Sequence, residues 1–247
     1  MANSAASISP ASLKTSWMLP RLAVANGTAE GLKWLGLILM TGDHVNKYLF
    51  NSTLPFLFEA GRLAMPVFVF VLAFNLARPN QVERGVYQRT MRRLAVFGAV
   101  ASMPFIALGG LYAGWWPLNI LFTLLALTST AYLIEREKIV LAALVFISAG
   151  AMVEYWWPAL LFGLAVWAYA KKPTLAAAGM AVLACAALGF INGNMWALAA
   201  LPLLFVATRL DLRIARLRWA FYLYYPLHLG ALWLIRIPMG RAGYLFF

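Results

Sequence analysis

Long apolar runs separated by short polar segments dominate this 247-residue sequence and restrict what it can fold into. Nearly every stretch after residue 31 is apolar enough to cross or half-cross a membrane, and a helical crossing needs about 20 apolar residues. Apolar residues make up 64% of the chain and charged residues 11%, whereas soluble domains have roughly 45–50% and 25%. The sequence therefore predicts an all-α integral membrane protein, a polytopic helical bundle.

The polar segments divide the chain into about nine predicted transmembrane helices. These lie at 32–51, 54–77, 94–112, 116–134, 139–153, 158–170, 174–190, 195–208 and 219–237. The runs at 139–153 and 158–170 are short, so either could be tilted or re-entrant. We predict a single transmembrane domain over 31–247. Residues 1–30 have no continuous apolar core of the signal-peptide kind, and we expect them to form a loosely ordered cytoplasmic tail.

The basic residues are concentrated in the segments between apolar runs. Twenty Lys and Arg against eight Asp and Glu give a net charge of +12. The segments 78–93, 171–172 and 209–218 carry most of this charge and fall on one side of a nine-helix bundle, which the positive-inside rule places in the cytoplasm. The N-terminus is then cytoplasmic. The charge indicates membrane topology and contact with the anionic lipids of the bilayer, and no nucleic-acid partner is expected.

A few ionisable residues fall inside the predicted spans, where they are costly and usually functional. Asp43 and His44 lie in the first span, with His44 roughly 18 Å from its cytoplasmic end. Glu59 and Arg62 lie at roughly 18–22 Å in the second span and are close enough to pair. His228 lies roughly 14 Å into the last span. Both histidines of the chain are therefore expected near the middle of the membrane.

This set of residues is suited to proton transfer. His44 could accept a proton at Nε2 from an attacking amine or hydroxyl. Asp43 points about 100° away from His44 on the helix, so Glu59 is the better candidate to orient the histidine. Arg62 could pair with Glu59 or hold an anionic group. For each histidine taken alone, a helix-to-helix hydrogen bond is the favoured interpretation, and only the two histidines together with the nearby charged residues favour a reactive centre. For Arg62, a structural ion pair is an equally good interpretation.

Several classes of enzyme lack their motifs in this chain. The sequence has no Walker-type phosphate loop, no GxSxG turn and no Cys/His set at metal-ligand spacing, so we expect no metal centre. Cys185 is the single cysteine, and an intramolecular disulfide is therefore impossible.

Four segments resemble the TraX family of conjugative plasmids, and they follow one another in the order and spacing of that family across roughly 32–235. The segment LILMTGDHVN (37–46) is similar to the family's L-x-L-M-x-x-D-H-I-N, and AGRLAMPVFVFVLAFNLAR (60–78) to its A-G-R-x-A-F-P-L-F…N-L-x-R. LNILF (118–122) resembles N-I-L-F, and HLGAL (228–232) resembles the closing H-L-A-V-L. Little beyond hydrophobicity matches over 139–208.

The resemblance implies a membrane-bound N-acetyltransferase of the bacterial inner membrane that acetylates the N-terminus of a membrane-inserted pilin, with acetyl-CoA as donor. It points to Asp43, His44, Asn46, Gly61, Arg62, Pro66, Asn75, Arg78, Asn119 and His228. In that scheme His44 is the general base, and His228 orients the acyl group or assists proton transfer. Arg78, Arg92, Arg93, Arg216 and Arg218 are the candidates for binding the donor phosphates, although membrane topology alone would explain each of them. Asn75 and Asn119 are further candidates for binding the donor.

Three other functions stay open from the sequence. A channel or proton-coupled transporter would use Asp43, Glu59 and the histidines as a relay and would consume no thioester. A pilus-assembly scaffold would bind pilin without chemistry. An O-acyltransferase would keep the reaction but use a sugar hydroxyl as acceptor.

Overall fold

The computed structural model describes residues 19–217 and 219–246, and every extended regular element within them is helical. The helices are α1 (Asn26–Leu49), α2 (Pro55–Gly61), α3 (Ala64–Leu76), α4 (Val86–Ala107), α5 (Ile120–Glu135), α6 (Ile139–Met152), α7 (Trp156–Lys171), α8 (Leu175–Asn192), α9 (Ala200–Ala207, preceded by a 3₁₀ turn at Trp196–Ala199) and α10 (Ala220–Arg241). The all-α prediction is confirmed.

The helices follow the nine predicted runs, with three corrections. Helix α4 begins at Val86, inside the basic segment 78–93 that the sequence predicts to lie between spans, and ends at Ala107 instead of 112. Helix α1 begins at Asn26, so the predicted tail over 1–30 is too long at its end; residues 1–18 lie outside the described residues. The second run is two helices, α2 and α3, joined at Arg62 and Leu63 through i→i+3 hydrogen bonds to Glu59 and Ala60. Pro66 has no N–H to bond the Arg62 carbonyl four residues earlier, which favours this break.

Two helical units of the described chain are both long and apolar enough to cross a membrane by length and composition. They are the α2–α3 unit, Pro55–Leu76, and α8, Leu175–Asn192. Three further apolar helices, Ile120–Glu135, Ile139–Met152 and Trp196–Ala207, are shorter. The placement of all nine units in a bilayer stays a prediction.

The bundle has two hydrophobic clusters. One is built from α3, α5, α7, α8 and α9 and includes the fully buried side chains of Val67, Leu127, Phe162 and Leu188. The other is built mainly from α1, α4 and α10 and includes Leu37, Leu94 and Leu229. Helix α3 packs against α1, α5 and α7 and so joins the two clusters. A large cavity lies along this junction.

Candidate functional site

The two histidines, 184 positions apart in the chain, are hydrogen-bonded to each other. His44 Nδ1 on α1 lies 2.7 Å from His228 Nε2 on α10, and the two rings are stacked with their centroids 5.0 Å apart. Helix α10 reaches α1 here because Tyr224, one turn before His228, also hydrogen-bonds Thr41 at 2.7 Å. The sequence-based expectation that both histidines lie at one level agrees with this contact.

The hydrogen-bond network assigns a tautomer to each histidine. His228 Nδ1 lies 3.0 Å from the Tyr224 carbonyl oxygen, which can only accept a hydrogen bond, so this nitrogen carries the proton. In neutral His228, Nε2 then has a free lone pair and accepts the hydrogen bond from His44 Nδ1–H. His44 Nε2 is therefore left unprotonated, which is the state that a general base needs.

Aromatic rings surround the pair and fix its position. Tyr224 stacks on His228 at 5.1 Å between centroids, and Tyr225 meets the same ring edge-on at 5.4 Å. Tyr48, one turn after His44, lies 5.5 Å from the His44 ring. His228 is buried, whereas His44 is half-buried. The geometry leaves His44 as the histidine that a ligand can reach.

Asp43 forms the ion pair that the sequence analysis assigned to Glu59. Arg62 Nη2 donates to Asp43 Oδ1 at 2.5 Å, and both side chains are only 12–13% exposed. Across the described residues, Glu59 forms no ion pair. It also does not orient His44, because the hydrogen-bond partner of His44 is His228. The prediction for Glu59 was wrong because a carboxylate on the neighbouring helix competes for Arg62, and spacing within one helix cannot reveal that.

Gly61 permits this close approach of α1 and α2. A Cβ atom at Gly61 would lie 2.4 Å from Asp43 Cβ, so no larger residue fits without moving one helix. On its other side Arg62 reaches Asn192, the last residue of α8, whose Oδ1 lies 3.4 Å from Arg62 Nη1. The broken helix therefore places Arg62 between α1 and α8.

The cavity at the junction of the two clusters has a volume of about 760 Å³ and is lined by α1, α3, α4, α5 and α10. Six cationic residues line it: Lys33, Arg78, Arg84, Arg89, Arg93 and Arg216. No carboxylate of the described residues does. The rest of the wall is mostly apolar, and Leu37, Met40, Phe68, Leu121 and Tyr225 contribute to it. The cavity thus suits a ligand with an anionic end and a less polar arm.

Two residues of the cavity wall, Met40 and Tyr225, lie close to His44, although neither histidine lines the cavity itself. Met40 lines the cavity and precedes His44 by one helical turn, a rise of about 6 Å. Tyr225 also lines the cavity, and its ring centroid lies 6.4 Å from that of His44. A ligand whose charged end binds the cationic residues could therefore extend its other end toward His44.

The structure separates the candidate donor-binding residues. Asn75, Arg78, Arg93 and Arg216 line the cavity, whereas Arg92 is exposed outside it. Asn119 is buried elsewhere, where its Oδ1 caps α5 at Leu121 N and its Nδ2 donates to the Gly98 carbonyl at 2.9 Å. Its role in the structure is that of a helix cap. Arg218 lies outside the described residues. Asn46 is likewise a structural residue, since its Oδ1 accepts from Leu54 N.

The sequence did not point to four residues near the site. Three of them, Lys33, Arg84 and Arg89, belong to the cationic lining of the cavity. The fourth is Glu154, which does not line the cavity. Glu154 lies between α6 and α7, where its backbone hydrogen-bonds Leu118 and Thr123. Burial raises the pKa of Glu154 to about 7, against the opposing effects of Lys47 and of the Ile120 N–H. An acidic residue inside the Trp-rich segment EYWWP was the available signal for it.

Comparison with known proteins agrees with the sequence blocks that contain these residues. The family model described as TraX protein matches residues 28–236, which is most of the chain. This chain belongs to the TraX family. It is 31% identical over 106 residues to a curated protein from Escherichia coli named Protein TraX, an alignment that covers 43% of this chain and 40% of that protein. No solved structure matches the chain.

Proposed function

We propose that this TraX family member is a multi-pass protein of the bacterial inner membrane that transfers an acetyl group from acetyl-CoA to the N-terminal amine of a pilin subunit during conjugative pilus maturation. The observation that carries the proposal is the hydrogen-bonded His44–His228 pair close to Met40 and Tyr225, which line a cavity with cationic and apolar walls. A reactive base and an amphipathic ligand cavity are two parts that an acyltransferase needs in one place.

A membrane location is supported by the outward-facing side chains of the described helices. Large apolar residues such as Val140 and Ile147 on α6, and Leu183 and Phe190 on α8, are 59–90% exposed. Contiguous apolar surface is unfavourable in water and favourable in a lipid environment. The basic segments also share one end of the bundle, since Arg78, Lys171 and Lys172 line a second cavity of about 600 Å³ next to the first. That common end is the one we assign to the cytoplasm.

The residues of the large cavity suit the two chemical halves of acetyl-CoA. Its phosphates require charge-assisted hydrogen bonds, which Arg78, Arg84, Arg89 and Arg93 can donate, whereas Lys33 is already paired with Glu30 at 2.7 Å. Its pantetheine arm requires a narrow and mostly apolar path, which Phe68, Leu121 and Tyr225 line toward His44. The cavity volume of about 760 Å³ lies in the range of roughly 300–1,000 Å³ typical of small-molecule sites.

His44 acts in the reaction as the general base. The acceptor nitrogen attacks the thioester carbon, a C–N bond forms, and His44 Nε2 takes the proton that this nitrogen loses. The His44 imidazolium keeps its Nδ1–H bond to His228 Nε2, which stabilises the added charge. When the C–S bond breaks, His44 returns the proton to the leaving sulfur, so protons and electrons balance. The apolar surroundings exclude water, and hydrolysis of the thioester is thereby suppressed.

The test is mass spectrometry of pilin co-expressed in bacterial membranes with the wild-type protein, with His44→Ala, with Gly179→Ala and with an empty vector. Gly179 is a helical residue of α8 whose Cβ position meets no atom within 4 Å, so it is a matched control. We expect an added acetyl mass at the pilin N-terminus with the wild type and the control only. Immunoblotting of the membranes verifies equal amounts of each variant.

The same experiment separates the other candidate functions. Acetyl-CoA consumption without modified pilin would point to another acceptor, such as a sugar hydroxyl. Pilus assembly that survives His44→Ala with no acetylation in any sample would favour a scaffold. Absence of thioester consumption together with a histidine-dependent proton flux would favour a transporter.

A further inference from the structure

The segment 210–217 lies between α9 and α10, has no regular secondary structure and crosses the first turns of α1. We refer to it as the strap. All of its side chains are exposed, including those of Leu210, Leu212 and Leu217. The strap is therefore held to the bundle by few contacts, and segments of this kind belong to the least stable parts of a protein.

The strap is fastened to α1 by its backbone. The hydroxyl of Thr28, itself buried, donates to the Leu210 carbonyl at 2.7 Å and accepts from Leu212 N–H at 3.1 Å. Gly27 provides the space, because a Cβ atom there would lie 1.8 Å from the Leu212 carbonyl oxygen. A strap in this position is incompatible with any larger residue at position 27.

The hydrogen bonds between Thr28 and the strap backbone hold Arg216 beside the large cavity. Arg216 lines the cavity and lies within electrostatic range of Lys33 and Arg78. Burial first, and then the nearby Arg216 charge, lower the pKa of the Arg78 guanidinium. Like charges of the strap and the cavity wall repel each other when no anion lies between them. An anion with several charges, bound between them, would attract both Arg216 and the cationic residues of the cavity wall.

We propose that the strap is a clamp for a polyanionic ligand, meaning one with two or more phosphate groups, with Gly27 and Thr28 as the positioning residues that hold Arg216 over it. The identification of this ligand as the acyl donor rests on the proposed function. The clamp makes the strap a determinant of ligand charge: it discriminates between donors that carry phosphates and thioesters that lack them.

The test measures binding of coenzyme A, S-acetyl-pantetheine and inorganic tripolyphosphate to the full-length protein in uncharged detergent, with hydrogen exchange of the strap amides in parallel. The variants are Gly27→Ala, Arg216→Gln, Thr28→Val and Thr28→Ser, with Gly179→Ala as control. Alanine is a better helix former than glycine, so Gly27→Ala disrupts the strap contact without weakening α1 by propensity.

We expect coenzyme A to slow exchange of the strap in the wild type. Its Kd should rise about tenfold in Gly27→Ala, Arg216→Gln and Thr28→Val, as for the loss of one charge-assisted contact. Thr28→Ser keeps the hydroxyl and should bind as the wild type does. The Kd of S-acetyl-pantetheine should be unchanged in every variant, which a merely structural role of the strap would not produce.

Unchanged strap exchange on binding of coenzyme A, or an equal loss of affinity for coenzyme A and S-acetyl-pantetheine, would overturn the clamp and leave the proposed function intact. Protection of the strap by tripolyphosphate in a protein that binds neither of these two pantetheine ligands would overturn the proposed donor and support the clamp. Absence of any polyanion effect in the wild type would overturn the clamp outright.

Discussion

Two regions of the bundle differ both in how apolar their helices are and in what lies in their interiors. Region one comprises α1–α5 and α10, and region two comprises α6–α9. Among the described residues that are polar or charged and buried, all belong to region one or its adjoining loops except Asn192 at the end of α8. In region two, Gly150, Gly163 and Gly189 permit close side-chain contacts with Trp157, Leu127 and Met195. Region one contains the proposed catalytic residues, and region two packs against it.

Region two contributes two polar residues close to the site. Asn192 reaches Arg62, and Glu154 lies on the loop between α6 and α7. Both are at helix ends, where a polar side chain can satisfy backbone or ionic partners without breaking an apolar helix. A packed apolar region can thus contribute single polar groups to a site that lies mainly in another region.

The largest expected effect comes from removing the base in region one. His44→Gln should lower the rate of pilin acetylation by about 10²–10⁴-fold, the usual contribution of general acid–base catalysis. Gly179→Ala in region two should leave the rate unchanged. The rates are measured by mass spectrometry of pilin over time in isolated membranes. Equal rates for His44→Gln and the wild type would contradict the assignment of the catalytic base to region one.

The next effect comes from the buried ion pair. Asp43→Asn leaves Arg62 without its charged partner, and breaking a buried pair costs about 3–5 kcal/mol. We expect a comparable loss for Arg62→Gln and a double variant less destabilised than the sum of the two. Glu59→Gln is the control and should be close to neutral. Unfolding in detergent measures all four variants, and a large loss for Glu59→Gln would contradict the pairing.

A smaller effect is expected at the cavity mouth. Arg93→Gln should raise the KM for acetyl-CoA about tenfold with little change in kcat, because it removes one phosphate contact far from the base. Arg92→Gln changes the neighbouring residue, which is outside the cavity, and should change KM less than twofold. Steady-state kinetics with purified protein decides between these outcomes. Equal effects of the two variants would mean that net charge, and not the cavity, attracts the donor.

The smallest effect concerns Glu154 and depends on pH. Its pKa of about 7 in the folded protein lies above its ordinary value of 4.5. The folded state therefore binds this proton more tightly than the unfolded state, and stability falls as the pH rises from about 4.5 to about 7.

Glu154→Gln abolishes that pH dependence. The variant should melt at the wild-type temperature near pH 4.5 and a few degrees higher at pH 8, because about 2–4 °C corresponds to 1 kcal/mol in a chain of this size. Melting curves in detergent across this pH range provide the measurement. A variant that is less stable at pH 8 would show that the ionised carboxylate is favourable, contrary to the direction of its pKa.

The sequence by itself determined the all-helical fold and the approximate positions of the helical runs, and it predicted that the two histidines lie at one level. Apolar periodicity and the polar segments between runs are local properties, and they survive in any packing of the helices. The resemblance to the TraX family likewise depended on ordered blocks such as LILMTGDHVN.

Only the tertiary structure decided which side chains act on each other. It paired Asp43 with Arg62, made His228 the partner of His44, placed the Asn119 amide against the Gly98 carbonyl of α4, and brought the strap across α1. Each of these contacts joins different helices or loops. Their formation depends on how helices rotate and approach, which small residues such as Gly27 and Gly61 permit and which spacing within one helix does not encode.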